Sequence, residues 1–103
     1  MVKGKTAKNT LNDRQINLLS EAFRVLGDPT KLKICMLLSD SECSVSEIAG
    51  QVGLSDSAAS HSLRILRNLR LVKYRREGKM IYYSLDDEHV EDLIRVGVDH
   101  IAE

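Results

Sequence analysis

Two of the chain's three histidines, His89 and His100, lie in its last stretch, SLDDEHVEDLIRVGVDHIAE from Ser84 to Glu103. Each has a carboxylate beside it: Asp87 precedes His89 by two residues, and Glu103 follows His100 by three. Imidazole nitrogens and carboxylate oxygens together are a donor set for a divalent ion. On a helix, a spacing of eleven residues returns nearly to the same face, about 20° away, and separates the two side-chain origins by about 16 Å along the axis. One ion with bonds of about 2 Å cannot reach both histidines. The stretch therefore reads as two half-sites facing the same way.

A two-fold axis would complete them. If this helix, expected from about Asp86 onward, packs antiparallel on its copy, the Asp87/His89 end meets the partner's His100/Glu103 end, and two identical sites form. Val90, Leu93, Ile94, Gly97, Val98 and Ile101 follow helical spacing and supply an apolar side, and Gly97 permits close approach. The plainer account is that acids at a helix start cap it and favour its dipole and that the histidines are solvated. Two residues apart on a regular helix, Asp87 and His89 would point about 200° apart, so either the first turn is irregular or Asp86 serves instead.

The chain must supply elements that position these residues. Its 103 residues suit one domain, whose modest core would benefit from helices shared in a dimer. Apolar content of 43% and charged content of 29% fit a soluble globular protein. The first ten residues, MVKGKTAKNT, have no apolar core of a signal peptide, and no run is apolar enough to span a membrane. Two cysteines, Cys35 and Cys43, make no disulfide framework, which points to a reducing cytoplasm. Net charge is zero but unevenly placed. Arg64, Arg67, Arg70, Lys73, Arg75, Arg76 and Lys79 crowd one region with Glu77 alone opposing them, and the region after Leu85 is as strongly acidic. That asymmetry points to a nucleic-acid surface beside a cation-attracting one, although a charge run on its own is usually a solvated face.

Residues 1–10 read as a loose lysine-bearing tail, and 11–103 as a single DNA-binding and dimerisation domain. Asn12 or Asp13 starts a first helix with Leu18, Leu19, Ala22, Phe23 and Leu26 on its apolar face, and Gly27 stops it. Asp28-Pro29 opens a second, striped by Leu32, Cys35, Met36 and Leu38. Cys35 lies within that stripe and reads as a small buried hydrophobe. Ser44 to Glu47 is a capping box for a short third helix ending near Val52. After Gly53-Leu54, Ser55 caps a fourth, from about Asp56 to Leu69. A short helix, a glycine turn and a longer helix make a helix-turn-helix.

On the fourth helix Ala58, Ala59, Leu63, Ile65, Leu66 and Leu69 are expected inside, and Ser57, Ser60, His61, Arg64 and Asn68 outside. Short hydroxyls let a backbone approach a major groove, where Arg64 can pair with guanine or phosphate. LVKYRR and MIYYSL flank Glu77-Gly78-Lys79 and read as a β-hairpin. Lys73, Arg75, Arg76 and Lys79 make it a basic wing for backbone or minor-groove contacts. The fold expected is mostly α, a winged helix-turn-helix of about five helices and a two-stranded wing, assembled as a homodimer that faces DNA.

The segments VLGDPTKLKI (Val25 to Ile34) and VSEIAGQVGLSDSAASHSLRILRNLRLVKYRREGKMIYYSL (Val45 to Leu85), with the terminal D-x-H…H-x-x-E pattern, resemble the ArsR/SmtB family of metal-sensing repressors over about four-fifths of the chain. The resemblance implies a dimer paired through its first and last helices, bound to operator without metal and released by it. It also implies a site of Asp87 and His89 from one subunit with His100 and Glu103 from the other. That donor set favours Zn²⁺, with Co²⁺ or Ni²⁺ as alternatives. The chain departs from the family at its other site: Ser44 stands where a first cysteine is expected, and Cys43, displaced by one, is at most a residual thiol ligand.

Two further readings compete. Cys35 and Cys43 could form a thiol or redox switch on the same fold. A metal-dependent hydrolase would need an open coordination position and a general base in a cleft; a filled ligand set and no second histidine cluster argue against an enzyme.

Overall fold

The computed structural model describes residues 10–103. Of the expected N-terminal tail, residues 1–9 lie outside the described region. Five helices and three strands follow in the order α1 (Asp13–Leu26), α2 (Pro29–Asp40), β1 (Cys43–Ser44), α3 (Val45–Val52), α4 (Asp56–Asn68), β2 (Val72–Glu77), β3 (Met80–Leu85) and α5 (Glu88–Ala102).

Local side chains set where the helices begin. Asn12 accepts from the Gln15 amide at 2.8 Å while the Gln15 side chain accepts from the Asn12 amide at 3.0 Å, so two orphan donors of α1 are satisfied reciprocally. Asp28 caps α2 by accepting from the Lys31 amide, with Pro29 in the first turn. Ser44 and Glu47 close the same reciprocal box on α3, and Ser55 accepts from the Ala58 amide on α4. Gly53, with φ +82°, supplies the left-handed residue that turns α3 toward α4.

Helix α4 ends without a glycine. Arg70 takes φ +60°, and the Leu71 amide donates back to the Leu66 carbonyl at 2.9 Å. This is the bond pattern that normally places glycine at the left-handed position, and Arg70 bears its cost of about 1 kcal/mol. Leu71 is driven into the core by the same turn, and the chain enters β2.

The wing is larger than the expected two strands. β2 and β3 pair antiparallel from Val72↔Leu85 to Glu77↔Met80, closed by Gly78-Lys79 with Gly78 at φ +61°. β1 adds a third strand on the other side of β3, with Cys43 opposite Tyr83 and Ser44 opposite Tyr82.

The core gathers one side of every helix against the root of this sheet. Ile34, Cys35, Ile48, Leu63, Leu66 and Val72 are fully enclosed; truncating one of the large aliphatics, such as Leu63→Ala, removes about 2–5 kcal/mol. Details of the core differ from the sequence reading. Ile34 is central, although the stripe assigned to α2 omitted it. Ala58, expected inside, is exposed, while Ala59, Ser62, Leu63 and Leu66 form the buried stripe of α4. Among the described residues, no helix is long and apolar enough to cross a membrane.

Candidate metal half-site and nucleic-acid interface

The first residue of α5 is Glu88, so Asp87 is its N-cap and lies off the helix in extended conformation, φ −156° and ψ 180°. That settles the angular objection to pairing Asp87 with His89. One oxygen of Asp87, Oδ1, accepts from the Val90 amide at 3.1 Å. The other, Oδ2, lies 3.5 Å from His89 Nδ1. Neighbouring donors on a tetrahedral zinc ion, each about 2.1 Å from the metal, stand about 3.4 Å apart, so the observed pair has the separation of two ligands of one ion. The Asp87 carboxyl is held below the usual range, chiefly by the Val90 amide and further by His89. The His89 ring is 90% exposed, which leaves it open to a ligand from outside the protomer.

His100 and Glu103 lie at the other end, His100 in the last turn and Glu103 as the C-cap. Both are exposed. Among the described residues, no cluster of three or more histidine, cysteine, aspartate or glutamate side chains within the chain could hold an ion. Each end of α5 thus offers two donors, and the structure does not bring the two pairs together within one protomer.

Between the ends, α5 uses two sides. Val90 and Ile94 are buried in the core, whereas Leu93, Val98 and Ile101 are exposed. The exposed side joins Phe23 of α1 and Met36 of α2 around an apolar groove of about 560 Å³. On α1, Ile16, Leu19 and Phe23 are about half exposed. A contiguous apolar face of this kind marks an interaction surface.

The polar stripe of α4 stands as expected: Ser57, Ser60, His61 and Arg64 are all exposed, spaced to share one face. The Ser46 hydroxyl of α3 donates to Asp56 in the first turn of α4 at 3.1 Å. The wing is tied to α4 by the Arg67 guanidinium, 5.1 Å from the Tyr74 ring centroid, and by Tyr74 packing on Tyr83. Sequence reasoning did not find these contacts, which join residues of different elements and leave no periodic signal. Lys73, Arg76 and Lys79 are exposed along the wing and, like Arg64, form no ion pair with another described residue. Arg75 differs: Glu42 and Glu77 grip its guanidinium.

The cysteines are both enclosed and unbridged. Burial pushes the Cys35 thiol up to about 12, far from the thiolate that redox chemistry or metal binding requires. Cys43, the first residue of β1, is buried with its thiol 3.6 Å from the Ser41 carbonyl, to which it donates.

Comparison with known proteins places these features. Residues 28–74 match the bacterial regulatory protein, arsR family. A transcriptional repressor SmtB homologue from Synechocystis is 46% identical over 89 residues, 86% of this chain and 67% of that one. A cadmium resistance regulatory protein CadC homologue from Staphylococcus aureus is 41% identical over 102 residues, 98% of this chain and 84% of that one. The homodimeric winged helix-turn-helix DNA-binding domain of a Mycobacterium bovis protein, solved in solution, superimposes with TM-score 0.79 at 30% identity, covering 89% of this chain and 87% of that one. With its helix-turn-helix, its basic wing and these relatives, the chain is no enzyme but a winged-helix transcriptional regulator, and it belongs to the arsR family.

Proposed function

We propose that the protein is a cytoplasmic repressor that binds operator DNA as a homodimer through residues 11–103 and is released by a divalent metal, zinc by preference and cobalt or nickel as alternatives. Each ion is held by Asp87 and His89 of one protomer and by His100 and Glu103 of the second. The observation that carries this reading is the 3.5 Å separation of Asp87 Oδ2 and His89 Nδ1 at the head of α5. The relatives support the class of signal, since one bears the name of a cadmium resistance regulator. Two imidazoles and two carboxylates would hold the ion, a donor set suited to a sensing site rather than to catalysis. Such a site binds and does not turn over.

The second copy supplies what one protomer lacks: it covers the apolar groove between α1 and α5 and brings the complementary donors. Ser57, Ser60, His61 and Arg64 read the major groove, while Lys73, Arg76 and Lys79 hold phosphates. Metal and DNA are coupled because the ion binds the free dimer more tightly than the DNA-bound one, and by linkage each weakens the other.

The test is a titration of the purified dimer on labelled operator DNA with zinc, cobalt, nickel and cadmium. His100→Ala should bind operator normally yet ignore zinc; release of that variant by zinc would move the site elsewhere. Arg64→Ala should lose about tenfold or more in operator affinity with or without metal, and unchanged affinity would refute the assignment of α4.

A further inference from the structure

We propose that Arg75 is a positioning residue that latches the wing to the start of the helix-turn-helix, and that among the wing's basic residues it contributes no phosphate contact. The inference rests on the DNA-face reading and deepens it. All three guanidinium nitrogens already donate to carboxylates, although the side chain stays half exposed. Its Nε donates to both Glu42 oxygens at 3.1 Å, its Nη2 donates to Glu42 as well, and its Nη1 donates to Glu77 at 2.8 Å. The Tyr82 ring lies beneath it, 5.0 Å away at the centroid. Two carboxylates face one cation, so the cluster carries a net negative charge where a phosphate would have to approach.

Strand geometry separates Arg75 from its neighbour. Arg75 pairs across the hairpin with Tyr82, and Arg76 with Ile81. Successive side chains point to opposite faces of a sheet. Arg76 therefore shares its face with Tyr74, the ring that meets Arg67 of α4, and Arg75 takes the reverse face with Lys73, which differs from it in forming no ion pair with another described residue. Glu42 sits between α2 and β1, one residue before the strand that leads directly into α3. The latch thus fixes the middle of β2 to the segment from which the helix-turn-helix departs. Together with the Arg67–Tyr74 contact it sets the wing's tilt from both faces.

Operator affinity measured across a salt series separates a latch from a phosphate contact. Each lost phosphate contact lowers the slope of log affinity against log salt by about 0.9, so Arg76→Met should flatten the slope by about twice that in a dimer. Arg75→Met, Glu42→Gln and the double variant should each weaken binding by the same factor, about two- to fivefold, with the slope unchanged. Equal single and double effects are the mark of one shared interaction. A slope flattened by Arg75→Met as much as by Arg76→Met overturns the proposal, as does tighter, steeper binding in Glu42→Gln. No response from either Arg64→Ala or Arg76→Met overturns the DNA-face assignment itself and the latch's role with it.

Discussion

Asp87 divides its carboxylate between two tasks: Oδ1 caps α5 through the Val90 amide, and Oδ2 stands beside His89 Nδ1 at 3.5 Å. The two tasks separate by substitution. Asn is as good an N-cap as Asp but a poorer metal ligand, so Asp87→Asn should keep the melting temperature close to that of the parent and lose at least tenfold in zinc affinity. Asp87→Ala should lower both. Thermal melts by circular dichroism, paired with zinc competition against a chromophoric chelator, read the two effects independently.

Acidity should act on metal and on fold in different ranges. Protons compete with the ion for imidazole nitrogen, so on the proposed reading zinc affinity should fall as pH falls. The cap behaves differently. Asp87's folded-state carboxyl lies below the ordinary value of 3.8, so its contribution to stability is complete above that value and is lost as pH falls through the folded one. Calorimetric zinc titrations between pH 7.5 and 5.5 should therefore weaken, while melts over the same range, taken without metal, show no loss from the cap.

Gly97 tests the dimer. It lines the apolar groove, and a Cβ built on it meets nothing within 4 Å. Gly97→Ala is thus compatible with the folded protomer, and its added methyl obstructs the close approach of a packed helix. Sedimentation should show the variant shifted to monomer, with its helical circular dichroism retained and its zinc response lost.

The buried cysteines set the outcome of an oxidation test. With the Cys35 thiol raised to about 12 by burial and Cys43 enclosed, a thiol reagent should label the native protein slowly and the unfolded protein fully. Mild peroxide should leave operator binding unchanged. Loss of binding together with a Cys35–Cys43 crosslink would favour the thiol switch over the metal site.

Much of the architecture was legible because its signals are local. Asn12, Asp28-Pro29, Ser44 with Glu47, Ser55 and Gly53 each act within four residues of themselves, and each helix begins or turns where they stand. What escaped depends on distant partners. The two residues of β1 are too few for an alternating pattern, and they pair with Tyr83 and Tyr82 on a strand read only as half of a hairpin. Glu42 and Arg75 are 33 residues apart, so their ion pair leaves no periodic signal. Ala58 misled because its small apolar side chain suits a buried face as well as an exposed one, and the stripe through Ala59 and Leu63 excludes it. At the head of α5, the donors were legible from residue type. Their geometry was not, because a regular helix was assumed to start one or two residues early.

The short strand β1 has a mechanical consequence. It stitches the segment ahead of α3 to the far edge of the hairpin, so the reading head and its outrigger travel as one stiff piece. An effector acting near the tail of the molecule then has little to bend inside either half. On the proposed reading it would silence the pair by changing the gap and the toe-in between two stiff callipers, and the spacing of the DNA half-sites would be the ruler against which that change is felt.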